Sequence, residues 1–233
     1  MEYRTHRVQE EFCSRSGANK GPVCLELTTL ASLDETIDQL FVELERSGNP
    51  QMLDELCPYF GCVWPAARGL AGALLEEPWF SRFQAGGARL LEVGCGLAIP
   101  SLIAAKLGAE VVATDLHQDV PRFLERNIVA NLSAAQAARF RYVPLDWKAV
   151  LRGSVAPDLG GPFALVVGSD VLYEKEHPDS LAQALWRLAR GSDGHPSASI
   201  LLADPGRPYL QQFLDGLARE TGRPVLTTVV SVA

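Results

Sequence analysis

From residue 89 to the end of the chain, short apolar runs alternate with stretches in which apolar residues recur at helical spacing. The apolar runs predict strands, and the intervening stretches predict helices. Strands that alternate with helices form a mostly parallel, doubly wound sheet, because right-handed crossovers place helices on both faces. The sequence therefore predicts an α/β fold. The predicted strands cover residues 89–93, 110–115, 140–145, 163–167, 200–203 and 225–232.

The N-terminal part of the chain has a different pattern. Residues 1–22 are polar and predict a loosely ordered start, whereas residues 23–30 predict a short strand. Ser32 marks a helix start, because Glu35 stands three residues later, as in a capping box. Gly48 ends that helix. An extension that contains a helix is therefore expected before the α/β part.

An aromatic loop over residues 56–65 joins this extension to the α/β part. Pro65 fits the first turn of a helix, where a missing backbone N–H costs no hydrogen bond. We therefore divide the chain into an N-terminal extension, residues 1–55, and a domain that covers residues 56–233.

A turn of sequence Gly94-Cys95-Gly96 follows the first predicted strand of the α/β part. Its two glycines permit a tight turn and a close approach of backbone N–H groups to a ligand. The fingerprint of a dinucleotide site has a third glycine where this chain has Ile99. Ile99 would hold the helix away from a pyrophosphate, so a nicotinamide-dependent oxidoreductase is disfavoured and a ligand without pyrophosphate is expected.

Polar residues at the ends of the predicted strands suggest which ligand that is. Glu92 can attract an ammonium, and Asp115 can bind both hydroxyls of a ribose. Asp146 can accept from an adenine amino group and Trp147 can stack on the ring. Leu116, next to Asp115, is placed in the same set. Taken singly, these residues have ordinary explanations as solvated strand ends or core side chains; together they describe S-adenosylmethionine and its product S-adenosylhomocysteine.

The composition of the chain limits the kinds of molecule that the protein can bind. The chain has 233 residues, a formal net charge of −7 and a pI near 5.2, which argue against nucleic acid or an anionic membrane as partner. Its five cysteines form no C-x-x-C pair and its four histidines lack ligand spacing, so no metal site is expected. The N-terminus lacks an apolar run typical of a secretory signal. We expect a cytoplasmic protein.

Several short motifs along the chain fit one family. They are Leu-Leu-Glu-Val-Gly-Cys-Gly (90–96), Ala-Thr-Asp (113–115), Val-Trp-Pro-Ala-Ala (63–67), Asn-Ile-Val-Ala-Asn (127–131), Leu-Asp-Trp (145–147), Ser-Asp-Val-Leu-Tyr (169–173) and Asp-Pro-Gly-Arg (204–207). Through these motifs the chain resembles the class I S-adenosylmethionine-dependent methyltransferases, and more narrowly methyltransferase family 16, whose characterised members are largely protein-lysine methyltransferases. The Asp-Pro-Gly-Arg motif is similar to the branch that modifies the electron-transfer flavoprotein beta subunit.

The resemblance implies a Rossmann-like methyltransferase sheet and a role for individual residues. It places Asp170 and Tyr173 against the acceptor. It further implies methyl transfer to a lysine amine of a protein partner by direct in-line displacement, by an enzyme expected to be a monomer. A small-molecule N- or O-methyltransferase and a non-catalytic binding module remain alternatives. The cofactor contacts that it implies are Trp64, the backbone of Gly94, Cys95 and Gly96, Asp115, Trp147 and Ser169.

Three further expectations concern the acceptor side of the site, and a fourth concerns the edge of the sheet. The segment after the fourth strand lacks the prolines of nucleobase methyltransferases, which disfavours a nucleobase acceptor. We interpret His177 as a surface-loop residue, with the acceptor entrance as the alternative, and Arg207 as the partner of Asp204 rather than of an acidic protein surface. The fold of the family normally has a seventh, antiparallel strand, for which little chain remains before Ala233. We expect either that the chain is truncated or that the edge of its sheet is built differently.

Overall fold

A computed structural model of the protein describes residues 2–153, 159–190 and 197–229, and its centre is a five-stranded parallel sheet. The strands of the described residues are β1 (Thr5–Phe12), β2 (Val23–Leu30), β3 (Arg89–Val93), β4 (Glu110–Asp115), β5 (Phe140–Pro144), β6 (Leu165–Ser169) and β7 (Ser199–Ala203). The helices are α1 (Leu33–Ser47), α2 (Leu53–Leu56), α3 (Pro65–Leu74), α4 (Trp79–Gln84), α5 (Ile99–Leu107), α6 (Val120–Asn131), α7 (Ala134–Ala137), α8 (Trp147–Leu151), α9 (His177–Ala189) and α10 (Leu210–Thr221).

The strand order in the large sheet is β5-β4-β3-β6-β7, and every pair in it is parallel. The predicted doubly wound α/β fold is confirmed, and the five predicted strands from residue 89 to residue 203 all form. Only β6 is displaced, by two residues. The prediction started this strand at Phe163, which is apolar because it is buried in the core and not because it pairs with a neighbouring strand. The chain moves outward from β3 to β5 and then restarts at β6 on the other side of β3.

Alternate residues of the central strands face two separate cores. Leu90 and Leu165, both fully buried, lie in one cluster with the apolar faces of α3, α5 and α6. Leu91 and Val166 lie in the other with α9 and α10. Each fully buried leucine contributes roughly 1.5–3 kcal/mol relative to an exposed one. Helices therefore cover both faces of the sheet, as the continuous apolar strands indicate.

The N-terminal extension begins with a β-hairpin, which corrects the prediction of a loosely ordered start. β1 pairs with β2 antiparallel along its whole length, from Thr5 opposite Leu30 to Phe12 opposite Val23. β1 is largely exposed and mostly polar, so its own pattern gave little strand signal. The pairing partner, predicted correctly at 23–30, is what orders it.

The hairpin is attached to α6 by two asparagine side chains. Asn127 Oδ1 accepts from the Thr28 N–H at 2.7 Å, and Asn131 Oδ1 accepts from the Glu26 N–H at 2.9 Å. Asn131 Nδ2 also donates to the Glu26 carbonyl at 2.7 Å. The Asn-Ile-Val-Ala-Asn motif thus satisfies an exposed strand edge, which is otherwise a liability. The hairpin shares the core of the large sheet, and the division at residue 55 stays a prediction.

Helix α1 has the predicted ends. Ser32 Oγ accepts from the Glu35 N–H at 3.2 Å, and Gly48 closes the helix with a φ of 75°. The apolar residues on one side of α1 are only partly buried. Leu40 and Leu44 are buried, whereas Phe41 is 40% exposed. Local sequence therefore determined the ends of the helix better than the width of its buried face.

The predicted strand at 225–232 is wrong for residues 225–229, which pair with no strand in the described part of the chain; residues 230–232 lie outside it. Leu226 and Val229 are almost fully exposed. β-branched residues form a strand only with a partner strand and a packed face. As far as the structure describes the chain, the large sheet ends at β7 and no antiparallel strand follows it.

Among the helices that the structure describes, none has the length and apolar character needed to cross a bilayer.

Candidate functional site

The glycine turn after β3 is as tight as the sequence predicts. Gly94 and Gly96 have φ values of 61° and 50°. A Cβ on Gly94 would lie 2.6 Å from Val171 Cγ1, and a Cβ on Gly96 would lie 3.0 Å from the Phe60 carbonyl oxygen. Only glycine fits both the conformation and the space. The Cys95 N–H points sideways to β4, where it donates to the backbone of Thr114 at 2.9 Å.

Asp115 at the end of β4 lies directly beside this turn. Its Oδ2 accepts from the Gly96 N–H at 2.9 Å, and its Oδ1 accepts from the His117 N–H at 2.9 Å. Burial raises the pKa of the Asp115 carboxyl, and these backbone hydrogen bonds oppose the shift. Each oxygen keeps a second lone pair, so the carboxylate can still accept from two hydroxyls. Leu116, the next residue, is 65% exposed.

Trp147, the first residue of α8, approaches the same turn from β5. Its Cζ3 lies 3.7 Å from the position of a Cβ on Gly94. Asp115 and Trp147 are thus brought to one place, as predicted. Asp146 caps α8 by accepting from the Lys148 N–H at 2.8 Å and pairs with Arg152 at 2.9 Å. If Asp146 also bound adenine, as predicted, its carboxylate would have a third partner.

Glu92 lies below the turn instead of at its surface. It is completely buried on β3, and its Oε2 accepts from the Ser101 N–H at 3.1 Å in the first turn of α5. Its Oε1 has no hydrogen-bond partner within the described ranges. Burial raises the pKa of Glu92 to about 8. The atom that an ammonium would meet is therefore Oε1, and that role stays a prediction.

Glu92 makes the stability of the free protein depend on pH. Its carboxyl ionises near 4.5 in the unfolded chain but only near 8 in the folded protein. The contribution of Glu92 to the free energy of unfolding should therefore be largest below pH 4.5, fall as the pH rises to 8, and then level off. Glu92→Gln keeps an acceptor for Ser101 and removes the titration. We expect it to exceed the wild type by on the order of 3 kcal/mol at pH 8 and to match it near pH 4.5. Urea unfolding of both proteins at pH 4.5, 6 and 8 measures this difference, and a difference that is the same at all three pH values would contradict the prediction.

Asp170 joins three elements at the carboxyl end of β6, just after Ser169. Its Oδ2 accepts from the Ala66 N–H at 3.2 Å at the start of α3, and its Oδ1 accepts from Arg207 Nη2 at 2.6 Å after β7. The side chain is only 6% exposed. Its φ of 56° is rare for a residue other than glycine. Strain of this kind concentrates at functional sites.

The predicted pairing of Arg207 with Asp204 is present, but a second and closer partner, Asp170, was not predicted. Arg207 Nε lies 3.9 Å from Asp204 Oδ2, whereas the close contact of the guanidinium is with Asp170. The Asp204 side chain instead accepts from the backbone N–H groups of Gly206 and Arg207 at 2.8 and 2.7 Å. Asp204 therefore shapes the turn that presents Arg207.

Three aromatic residues form the rim of the site near Asp170. Tyr173 is 44% exposed and its ring lies 6.1 Å from that of Tyr59. The Tyr59 ring lies 6.4 Å from that of Trp64, whose Nε1–H donates to the Tyr59 carbonyl at 2.9 Å. Partial burial raises the pKa of Tyr173 to about 12, so its hydroxyl stays a donor at neutral pH. Tyr59 was not predicted, and its only sequence signal was the aromatic loop.

His177 is buried, so the prediction of a surface-loop histidine is wrong. It begins α9 and its ring lies between Trp147 and Tyr173, at 5.2 and 5.3 Å, edge to face with both. Its Nε2 lies 2.8 Å from Glu174 Oε2. Burial lowers the pKa of His177, and the nearby Glu174 opposes this. The residue connects the predicted cofactor wall to the predicted acceptor wall.

The described His, Cys, Asp and Glu side chains are not grouped as metal ligands would be. Across residues 2–153, 159–190 and 197–229, no group of three or more His, Cys, Asp or Glu side chains is placed to hold a metal ion. All five cysteines are free thiols.

The site lies at the carboxyl ends of β3, β4, β5 and β6, next to the point where the strand order reverses, which is where open α/β sheets bind ligands. This sheet, the glycine turn and the acid after β4 define the class: a Rossmann-like methyltransferase fold. A model of the lysine methyltransferase family, methyltransferase family 16, matches residues 58–209, and the chain belongs to this family. The resemblance stated from the motifs is confirmed.

The chain is also similar to several curated methyltransferases. A histone-arginine methyltransferase METTL23 from Xenopus laevis is 34% identical over 144 residues, which are 60% of this chain and 56% of the relative. An electron transfer flavoprotein beta subunit lysine methyltransferase from Xenopus laevis is 29% identical over 64% of this chain and 53% of its own length. A calmodulin-lysine N-methyltransferase from Arabidopsis thaliana is 29% identical over 66% and 48%. The chain spans about half the length of these relatives.

Proposed function

We propose that this protein is an S-adenosylmethionine-dependent methyltransferase that transfers a methyl group to a lysine amine of another protein. The observation that carries the proposal is the position of Asp170. A buried carboxylate in a strained turn follows the strand next to the glycine turn and is rimmed by exposed tyrosines. Family membership and the lysine methyltransferases among the relatives support the same reaction.

The residues beside the glycine turn fit the methyl donor. Asp115 would hold the ribose hydroxyls, Trp147 would wall the adenine, and Glu92 would meet the ammonium. Trp147 Nε1 and Glu92 Oε1 are buried polar atoms that lack a partner in the part of the chain described, as groups awaiting a ligand would be. When bound, S-adenosylmethionine supplies an electrophilic methyl group on a sulfonium. The N–H groups of Cys95 and Gly96 are already paired within the protein, so the glycines of the turn would serve the ligand by keeping side chains away from it.

The acceptor side must orient an amine that is mostly protonated in water. With a reference pKa near 10.4, roughly one lysine in a few thousand is neutral at pH 7. Asp170 can accept a hydrogen bond from the amine and aim its lone pair, with the reacting atoms about 3 Å apart. The rings of Tyr59 and Tyr173 remove water around the amine, which favours its neutral form. The proton goes to solvent water, and one N–C bond forms as one S–C bond breaks.

An arginine acceptor is the second candidate. METTL23 from Xenopus laevis is named as a histone-arginine methyltransferase. In addition, Asp170 already binds a guanidinium, that of Arg207, at 2.6 Å. The turn is therefore compatible with the geometry of an arginine side chain.

The test incubates the purified protein with S-adenosylmethionine that carries a tritiated methyl group. The acceptors are a cell extract that retains its small molecules, core histones, electron transfer flavoprotein beta subunit and calmodulin, and the products are separated into protein and small-molecule fractions. We expect label on protein, localised to lysine by mass spectrometry. Label on arginine supports the second candidate. Label confined to small molecules, or no label although S-adenosylhomocysteine binds, contradicts the proposal and favours a small-molecule enzyme or a binding module, respectively.

We also propose a cytoplasmic, monomeric protein whose partner is a protein and not nucleic acid or a membrane. The free thiols are compatible with a reducing compartment. The net charge of −7 disfavours non-specific binding to nucleic acid.

A further inference from the structure

We propose that Arg207 is a positioning residue that compensates the charge of Asp170, so that Asp170 orients the acceptor amine without holding it in the protonated form. This inference rests on the proposed function, because it concerns how the same site would control the pKa of the acceptor amine. It addresses a difficulty of that mechanism, since an uncompensated carboxylate stabilises an ammonium and so opposes the attack of the amine.

Both oxygens of Asp170 are compensated by positive groups. Arg207 Nη2 lies 2.6 Å from Oδ1, and the Ala66 N–H donates to Oδ2 at 3.2 Å from the first turn of α3. The N-terminus of a helix carries a partial positive charge. Because each carboxylate oxygen has two lone pairs, the side chain can still accept a hydrogen bond from an amine. Asp170 therefore keeps its capacity to orient a donor while its field is reduced.

Arg207 is held in place by its own turn. Asp204 Oδ1 accepts the N–H groups of Gly206 and Arg207, and Gly206 has a φ of 89°. The side chain of Arg207 is 28% exposed, so solvent screens its pairing only in part. The guanidinium is thus delivered to Asp170 by backbone geometry, as expected for a permanent component of the site.

The charges around Asp170 determine the sign of the effect. The segment after β7 contributes the cation of Arg207 and the carboxylate of Asp204, and α3 contributes the Ala66 N–H. Loss of Arg207 would leave two carboxylates facing the amine and raise the pKa of the amine. Loss of the charge on Asp204 would lower it.

Two variants that change the charge in opposite directions test the proposal. Arg207→Gln removes the cation, whereas Asp204→Asn removes an anion and keeps the oxygen that accepts both backbone N–H groups. Arg207→Lys is the conservative variant. Arg219→Gln is the matched control, because Arg219 forms an Arg–Asp pair of 2.9 Å with Asp179 on the exposed surface of α9 and α10.

The first measurement is the affinity of the S-adenosylhomocysteine-loaded protein for n-butylamine at pH 7, by NMR titration. We expect Arg207→Gln to bind the ammonium about tenfold more tightly than the wild type and Asp204→Asn to bind it more weakly. Arg207→Lys and Arg219→Gln should match the wild type. The second measurement is the pH profile of kcat on the protein acceptor. Its acidic limb should move up by about one pH unit in Arg207→Gln, without an increase in KM, and down in Asp204→Asn.

The outcomes separate this inference from the function on which it rests. Equal amine affinities in all variants, or an equal loss of kcat at every pH in Arg207→Gln, would overturn the role of Arg207. If Arg207→Gln does not fold, the downward shift in Asp204→Asn carries the test, and an unchanged profile there overturns the inference. No amine binding by any variant, the wild type included, contradicts the acceptor site itself.

Discussion

Replacement of Asp115 by alanine is expected to lower the affinity for S-adenosylhomocysteine by roughly 30- to 150-fold. The carboxylate would bind the ribose hydroxyls, and it also holds the Gly96 N–H at 2.9 Å. A hydrogen bond to a charged group contributes about 2–3 kcal/mol. The variant loses the ligand contact and the support of the turn together. Calorimetric titration measures the affinity directly, and a lost thermal shift with the same ligand is the simpler readout.

Glu110→Ala is the matched control for this experiment. It removes a carboxylate from the opposite end of the same strand, where Glu110 pairs with Arg89 at 3.3 Å. This variant should bind S-adenosylhomocysteine as the wild type does. An unchanged affinity in Asp115→Ala, with the fold intact by circular dichroism, would show that the ligand does not lie over the glycine turn.

Replacement of Asp170 by asparagine is expected to reduce kcat/KM on the protein acceptor by roughly 100-fold or more. The amide cannot compensate Arg207, which then faces the incoming amine with its full charge. The loss of one charge-assisted hydrogen bond, about 3 kcal/mol, is sufficient for that factor. Affinity for S-adenosylhomocysteine should change less than threefold, because Asp170 contacts α3 and the segment after β7 instead of the glycine turn.

Asp179→Asn makes the same chemical change on the exposed surface of α9 and should leave both quantities unchanged. If Asp170→Asn keeps the activity of the wild type while its melting temperature falls, Asp170 is only a structural link between Ala66 and Arg207. In that case the acceptor site must be sought elsewhere along the aromatic rim.

The two halves of the site are physically connected through His177. The imidazole contacts both Trp147, on the cofactor side, and Tyr173, on the acceptor side. Aromatic pairs of this kind contribute about 0.5–1.5 kcal/mol beyond the area that they bury. A displacement of either wall therefore changes the packing of the other.

Residues at strand ends could be predicted from the sequence because topology alone brings them together. In a parallel sheet the carboxyl ends of neighbouring strands meet at one edge. Asp115 and Trp147 lie at the ends of different strands, and both were predicted and found beside the glycine turn, Asp115 at Gly96 and Trp147 at Gly94. The assignment required the strand positions and no knowledge of side-chain packing. Their contacts with a cofactor stay predictions.

Other residues of the site could not be assigned because their environment depends on distant segments. Arg207 and Asp170 are 37 positions apart, and a nearer carboxylate, Asp204, competes for Arg207 in any local interpretation. His177 follows three charged residues and precedes a proline, a pattern typical of exposed loops. It is buried because α9 packs it against Trp147.

The sequence by itself determined the parallel sheet, the tight turn after β3 and the family, because hydrophobic period, glycine and short motifs act locally. The tertiary structure decided the rest: that the polar strand β1 forms a hairpin, that residues 225–229 lack a strand, and that Arg207 lies on Asp170. Each of these depends on a partner supplied by another part of the chain. Pairing, burial and charge compensation are properties of two segments, and neither segment's sequence contains them alone.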